Sequence, residues 1–170
     1  MFARPNSQHC QVAYVTNNLD AAMATLKDAY GTPAFFEFSN VQPGEDPGGK
    51  PVLNIALANV NGVEIELIEP VGDTAPLFSD FLPEGDDLAI RFHHVATRID
   101  GPLEHWDAHV ASLDLTRHPV VFEGALGDSL RYIYTDERAT LGHYVEHVWM
   151  APDLLAQMRA VVPAYPPVKD

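Results

Sequence analysis

The sequence states one pattern twice. Gln11-Val12-Ala13 opens an apolar run near the start and His94-Val95-Ala96 opens another in the second half, while Gly62-x-x-x-Glu66 closes the first stretch and Gly142-x-x-x-Glu146 the second. The openings are 83 positions apart and the closings 80. Two modules of nearly equal length are therefore expected, each starting with a polar side chain able to coordinate a metal and ending on a carboxylate. Modules that each bring two such groups can assemble a four-ligand site where they meet.

The order of elements repeats as well. His9 to Val15 alternates as a strand, and Asn17-Asn18-Leu19-Asp20 supplies capping side chains before Ala21 to Leu26, whose apolar spacing predicts a helix that Gly31-Thr32-Pro33 stops. Ala34 to Phe38 reads as a short strand and Val41 to Lys50 as a Pro/Gly-rich acidic loop able to close over a site. Val52 to Val60 and Val63 to Ile68 read as strands joined by Asn61-Gly62, a pair suited to a tight hairpin turn. In the second half Leu88 to Ile99 is strand-like and Leu103 to Leu113 helical, followed by strands at Val120 to Phe122, Leu130 to Thr135 and His143 to Trp149. Pro70 to Asp87 between the halves reads as a linker with one docked apolar turn, Leu77-Phe78 with Phe81-Leu82. A helix from Pro152 to Val162 and a Pro-rich tail end the chain.

Composition narrows the partners. A chain of 170 residues, 46% hydrophobic, has enough apolar content for a packed core. A net charge of -14 without a Lys/Arg cluster argues against nucleic acid or an anionic membrane as partner. Cys10 is the sole cysteine, which rules out an intrachain disulfide. With no apolar signal segment at the start and no stretch long enough to span a bilayer, a cytoplasmic setting is expected.

Several pieces carry a family resemblance: Gln11-Val12-Ala13-Tyr14-Val15 followed by Asn18-Leu19-Asp20, the segment Val63-Glu64-Ile65-Glu66-Leu67-Ile68-Glu69-Pro70, His93-His94-Val95-Ala96, and Gly142-His143-Tyr144-Val145-Glu146. In this order they resemble the vicinal oxygen chelate superfamily, which includes glyoxalase I, methylmalonyl-CoA epimerase, extradiol dioxygenases and antibiotic-binding proteins of the bleomycin-resistance type. The resemblance implies an α+β fold of two βαβββ modules, residues 1–83 and 84–170, whose curled mixed sheets form a cup. It implies a divalent metal, zinc first with Mn, Fe, Co or Ni also suitable, held by Gln11, Glu66, His94 and Glu146. His9, two residues before Gln11 on the expected strand, stays open as an alternative first ligand or a substrate contact.

The chemistry so implied is a lyase, isomerase or epimerase reaction on a small carbonyl substrate through an enediolate or enolate, with Glu146 the first choice of base and Glu66 the second. Arg98, Tyr14, Tyr134 and His9 are the candidate substrate contacts. A ring-cleavage dioxygenase, which needs two His and one carboxylate, and a metal-free binding protein remain alternatives. A homodimer is expected, with the cup formed either within one chain or by exchanged modules.

Alternation along strands adds two expectations. Glu64 and Glu66 share a face opposite Val63, Ile65 and Leu67, and the neighbours His93 and His94 point to opposite faces, leaving only His94 for the site.

Overall fold

The computed structural model describes residues 6–32, 34–44, 50–72 and 76–166. Its elements are β1 (Ser7–Thr16), α1 (Leu19–Tyr30), β2 (Phe36–Val41), β3 (Leu53–Val60), β4 (Val63–Pro70), α2 (Pro76–Ser79), β5 (Ile90–Ile99), α3 (Leu103–Ala111), β6 (Val120–Leu126), β7 (Leu130–Asp136), β8 (Tyr144–Met150), α4 (Pro152–Val161) and β9 (Ala164–Tyr165). The β-α-β-β-β order thus occurs twice. Of the Val41–Lys50 loop, positions 45–49 lie outside the described residues.

Local chemistry explains the boundaries. The Asn18 side chain accepts a hydrogen bond from the Ala21 backbone N–H, satisfying a donor that the first turn of α1 leaves open, and Gly31 ends the helix with φ 67°. Asn61 and Gly62 both take positive φ, 53° and 84°, so β3 and β4 are joined by the tight turn expected of that pair.

All strands join one curled mixed sheet in the order β2-β3-β4-β1-β5-β8-β7-β6, with β9 alongside β3. β1 lies parallel to β4 and β5 parallel to β8, and the two halves meet through the antiparallel pair β1 and β5. The two halves of the cup thus meet within one chain. α1 covers the outer face with Leu19, Ala22, Met23 and Leu26 against Ala56, Ile65 and Leu67, and Trp106 of α3 packs on Ile99, Ile133 and Trp149. Burying apolar side chains outside the sheet leaves its concave face available for polar work. Pro43 and Gly44, following β2, run against Glu123 and Gly124 of β6 so closely that neither glycine has room for a Cβ, which ties one end of the sheet to the other. Among the described residues no helix is long and apolar enough to cross a membrane.

Two bulges interrupt the β1–β5 ladder. The register passes from His9 opposite Thr97 to Gln11 opposite Ala96, leaving Cys10 as an extra residue, and from Ala13 opposite His94 to Tyr14 opposite Phe92, leaving His93 extra.

Candidate metal centre and substrate cavity

Strand pairing alone gathers the predicted donors. Glu66, Ala13, His94 and Tyr144 stand level across β4, β1, β5 and β8, and Glu64, Gln11, Ala96 and Glu146 form the adjacent level. His94 is fully buried, and its Nε2 lies 3.4 Å from Glu66 Oε2 and 3.3 Å from Glu146 Oε2. Neither His94 Nε2 nor Glu66 Oε2 makes a hydrogen bond, although both are out of contact with solvent. Gln11 donates its amide Nε2 to Glu64 Oε1 at 3.0 Å, which leaves the amide oxygen as the end free for a cation.

Burial governs the electrostatics. It pushes the Glu146 carboxyl up to about 8. Glu66 is raised well above the carboxylate range by burial and then by the charges of Glu146 and Glu64. Glu64 rises to about 7 through burial and Glu146, against the opposing pull of the Gln11 hydrogen bond and Arg98. His94 falls to about 3, through burial and then His143. A neutral imidazole and two carboxyls that resist ionisation side by side form a set that a dication would relieve.

Among the described residues no three His, Cys, Asp or Glu side chains already form a finished metal centre. The donors nevertheless fit one. Two donors bound at about 2.1 Å to a four-coordinate ion lie about 3.4 Å apart, the separation His94 keeps from each carboxylate. Two buried polar atoms without partners are costly unless something is placed between them. One imidazole, one amide oxygen and two carboxylates suit zinc and the neighbouring divalent transition metals.

Around these groups opens a cavity of about 710 Å³, lined in part by Arg98, Leu57, Tyr132, Tyr134, Met158 and Arg159. Tyr134 packs its ring 4.7 Å from that of His94. Arg98 faces the cavity while its Nε donates to Asp100 at 2.8 Å. His9 is exposed and borders the same cavity as Gln11, with the bulge at Cys10 between them, and stands opposite Thr97.

Tyr14 is not brought to the site. Period-two alternation turns it away from Gln11, Ala13 and Val15, and it packs with the cluster beneath α1 and edge-on to Phe92. The expectation that His93 and His94 point to opposite faces is also corrected. Because His93 is the extra residue of a bulge, both rings lie on the same side, with their Nδ1 atoms 2.8 Å apart. Glu64 is a cavity residue that the four-donor reading left out, although its shared face with Glu66 signalled it. Tyr132, whose buried hydroxyl has no hydrogen-bond partner, is another.

The sequence profile of the Glyoxalase/Bleomycin resistance protein/Dioxygenase superfamily matches residues 10–135. The chain belongs to this superfamily. Its curled mixed sheet is the superfamily fold, and solved structures agree. Methylmalonyl-CoA epimerase from Mycobacterium tuberculosis superposes with a TM-score of 0.64 at 22% identity, over 92% of this chain and 97% of the other. A variant of Streptomyces coelicolor methylmalonyl-CoA epimerase in complex with 2-nitronate-propionyl-CoA gives 0.59 at 19% identity, over 85% and 94%. A hypothetical protein from Bacillus halodurans C-125 gives 0.56 at 13% identity, over 85% and 95%. At these identities the likeness is one of fold. No curated protein matches the chain.

Proposed function

We propose that the chain is a metal-dependent superfamily enzyme that removes and returns a proton on the carbon beside a carbonyl. It would act as an isomerase, epimerase or glyoxalase-type lyase on a small molecule carrying two adjacent oxygens. The observation that carries this reading is the buried, unpartnered His94 Nε2 set between the Glu66 and Glu146 carboxylates.

Gln11, Glu66, His94 and Glu146 would hold the ion, which when bound supplies Lewis-acid polarisation of the substrate oxygens and balances the two carboxylates. Glu146 takes the proton. Burial raises this carboxyl to about 8 in the metal-free cup, and a bound dication would draw it back towards the range where it is ionised and able to accept a proton at neutral pH. Glu66, whose Oε2 is 3.4 Å from the same His94 Nε2, returns a proton to the substrate. Arg98 holds an anionic part of the substrate, and Tyr134 packs on its reacting end. The apolar wall keeps water from the carbanionic charge. The four donors come from one chain, so a homodimer, also part of this proposal, is not needed to complete the site.

The test is proton exchange. Zinc-loaded protein is incubated in D2O with a panel of 2-hydroxy carbonyls, hemithioacetals and branched acyl thioesters, and NMR follows deuterium entering beside the carbonyl. Methylmalonyl-type thioesters come first, because one structural neighbour is methylmalonyl-CoA epimerase in complex with methylmalonyl-CoA and NH4+. Exchange with at least one class, reduced about 100-fold or more in Glu146→Gln, is expected. Zinc-loaded protein that exchanges none of them, or a Glu146→Gln variant as active as the parent, would count against the reading.

A further inference from the structure

His93 lies fully buried beside the metal-type donors, its ring stacked on Phe78 with 4.9 Å between centres and flanked by Phe81 and Tyr144. Its Nε2 is 3.0 Å from the Leu77 carbonyl oxygen of α2, and its Nδ1 is 2.8 Å from Nδ1 of His94. A carbonyl oxygen only accepts, so His93 Nε2 must carry a hydrogen. An imidazolium here would be a charge enclosed by aromatic rings with both nitrogens facing neutral groups, so the ring is neutral and Nδ1 bears a lone pair. The short contact between the two rings then requires the hydrogen to sit on His94 Nδ1. A neutral His94 with Nδ1–H has a bare lone pair at Nε2, the atom that faces Glu66 and Glu146 without a hydrogen bond.

We propose that His93 is a positioning residue: anchored by the Leu77 carbonyl of the inter-module turn, it holds His94 in the Nδ1–H tautomer and so presents Nε2 to a metal ion. This deepens the metal-dependent reading above and rests on it. The bulge in β5 is what makes the relay possible, since regular alternation would turn the two rings apart. The segment between the modules then acts as more than a tether, because its docked turn fixes the chemistry of a donor in the second half. A hydrogen bond to the second nitrogen of a metal-binding imidazole sets both its tautomer and its orientation.

Two measurements test the relay. Long-range ¹H–¹⁵N correlation on the histidine-labelled, chelator-treated wild-type protein reads the tautomer directly. Nδ1–H on His94 is expected, and Nε2–H overturns the proposal. His93→Phe keeps aromatic packing and removes the acceptor, and its Zn²⁺ affinity, by competition with a chromophoric chelator, should fall about 10- to 100-fold. His93→Asn, whose Oδ1 can stand in for Nδ1, should recover part of that loss. A folded His93→Phe protein with unchanged Zn²⁺ affinity overturns the proposal. If His93→Phe fails to fold, the wild-type tautomer still decides. If the wild type binds no Zn²⁺, the metal-dependent reading fails, and the tautomer separately decides whether the relay exists.

Discussion

In the first half of the cup, Gln11 and Glu66 are set among aliphatic side chains, Leu53, Ile55, Leu57 and Ile68, with the additional carboxyl of Glu64 bound to Gln11. In the second half, His94 and Glu146 are set among Phe122, Tyr132, Tyr134 and Tyr144. The donors occupy matching register positions, yet the walls around them differ in kind. What the duplication repeats is the pairing of strands, a parallel pair in each half and one antiparallel seam, and that pairing alone brings the donors level. The lining is set independently. One wall is hydrocarbon that excludes water, and the other adds ring faces and hydroxyls that can meet a substrate.

The sharpest way to break the comparison is to remove one donor from each half. His94→Ala is expected to lower Zn²⁺ affinity roughly 100-fold or more, and Gln11→Ala roughly 10-fold, because a neutral amide oxygen binds a transition metal less strongly than an imidazole. Equal losses in a chelator competition assay would mean that the halves contribute alike.

The buried carboxyls and the buried imidazole should also respond oppositely to pH in metal-free protein. Glu146 at about 8 and Glu64 at about 7 lie above their ordinary value of 4.5, so their contribution to stability is complete below 4.5 and is lost as pH rises through 7 to 8. His94 at about 3 lies below its ordinary 6.5, so its contribution is present above 6.5 and is lost as pH falls towards 3. Urea unfolding of chelator-treated protein should therefore show the greatest stability near pH 4.5, since above it two carboxyls lose what one imidazole gains, and weaken by a few kcal/mol, as an order of magnitude, up to pH 9. Added Zn²⁺ should flatten that alkaline limb, and stability rising steadily from pH 5 to 8 without metal would contradict the assignment.

A smaller effect is expected where the aromatic wall meets Pro43 and Gly44 of the other half. A Cβ on Gly124 would collide with the Tyr132 hydroxyl and the Pro43 carbonyl, so Gly124→Ala should cost about 1–3 kcal/mol in thermal unfolding. A neutral result would mean that the two ends of the sheet are not held together there. The smallest effect lies in the paired helices: α1 is capped by the Asn18 side chain, whereas α3 starts at Pro102 without one. Asn18→Ala should cost about 1 kcal/mol and Pro102→Ala less, by the same measurement.

The fold was legible because strand alternation, the Asn18 cap and the Asn61-Gly62 turn act locally, and a duplicated order of such elements leaves few arrangements. The spacing of Gln11, Glu66, His94 and Glu146 was legible too, since register carries it. Bulges were not. One extra residue reverses every later side-chain direction on its strand, and nothing in the letters around His93 marks the insertion, so His93 was expected on the wrong face. Tyr14 is a different kind of miss, because the alternation that selected Gln11 already turned Tyr14 towards α1. The role of the Leu77-Phe78 turn depends on a contact between residues 16 positions apart, which periodicity does not report.

The most direct test of the account is elemental analysis of gently purified, full-length protein, combined with thermal shift on adding Zn, Mn, Fe, Co or Ni. About one equivalent of a divalent transition metal per chain, or a clear rise in Tm with at least one of these ions, is the expected result. Protein free of metal that none of the five ions stabilises would contradict the central claim that Gln11, Glu66, His94 and Glu146 form a metal site.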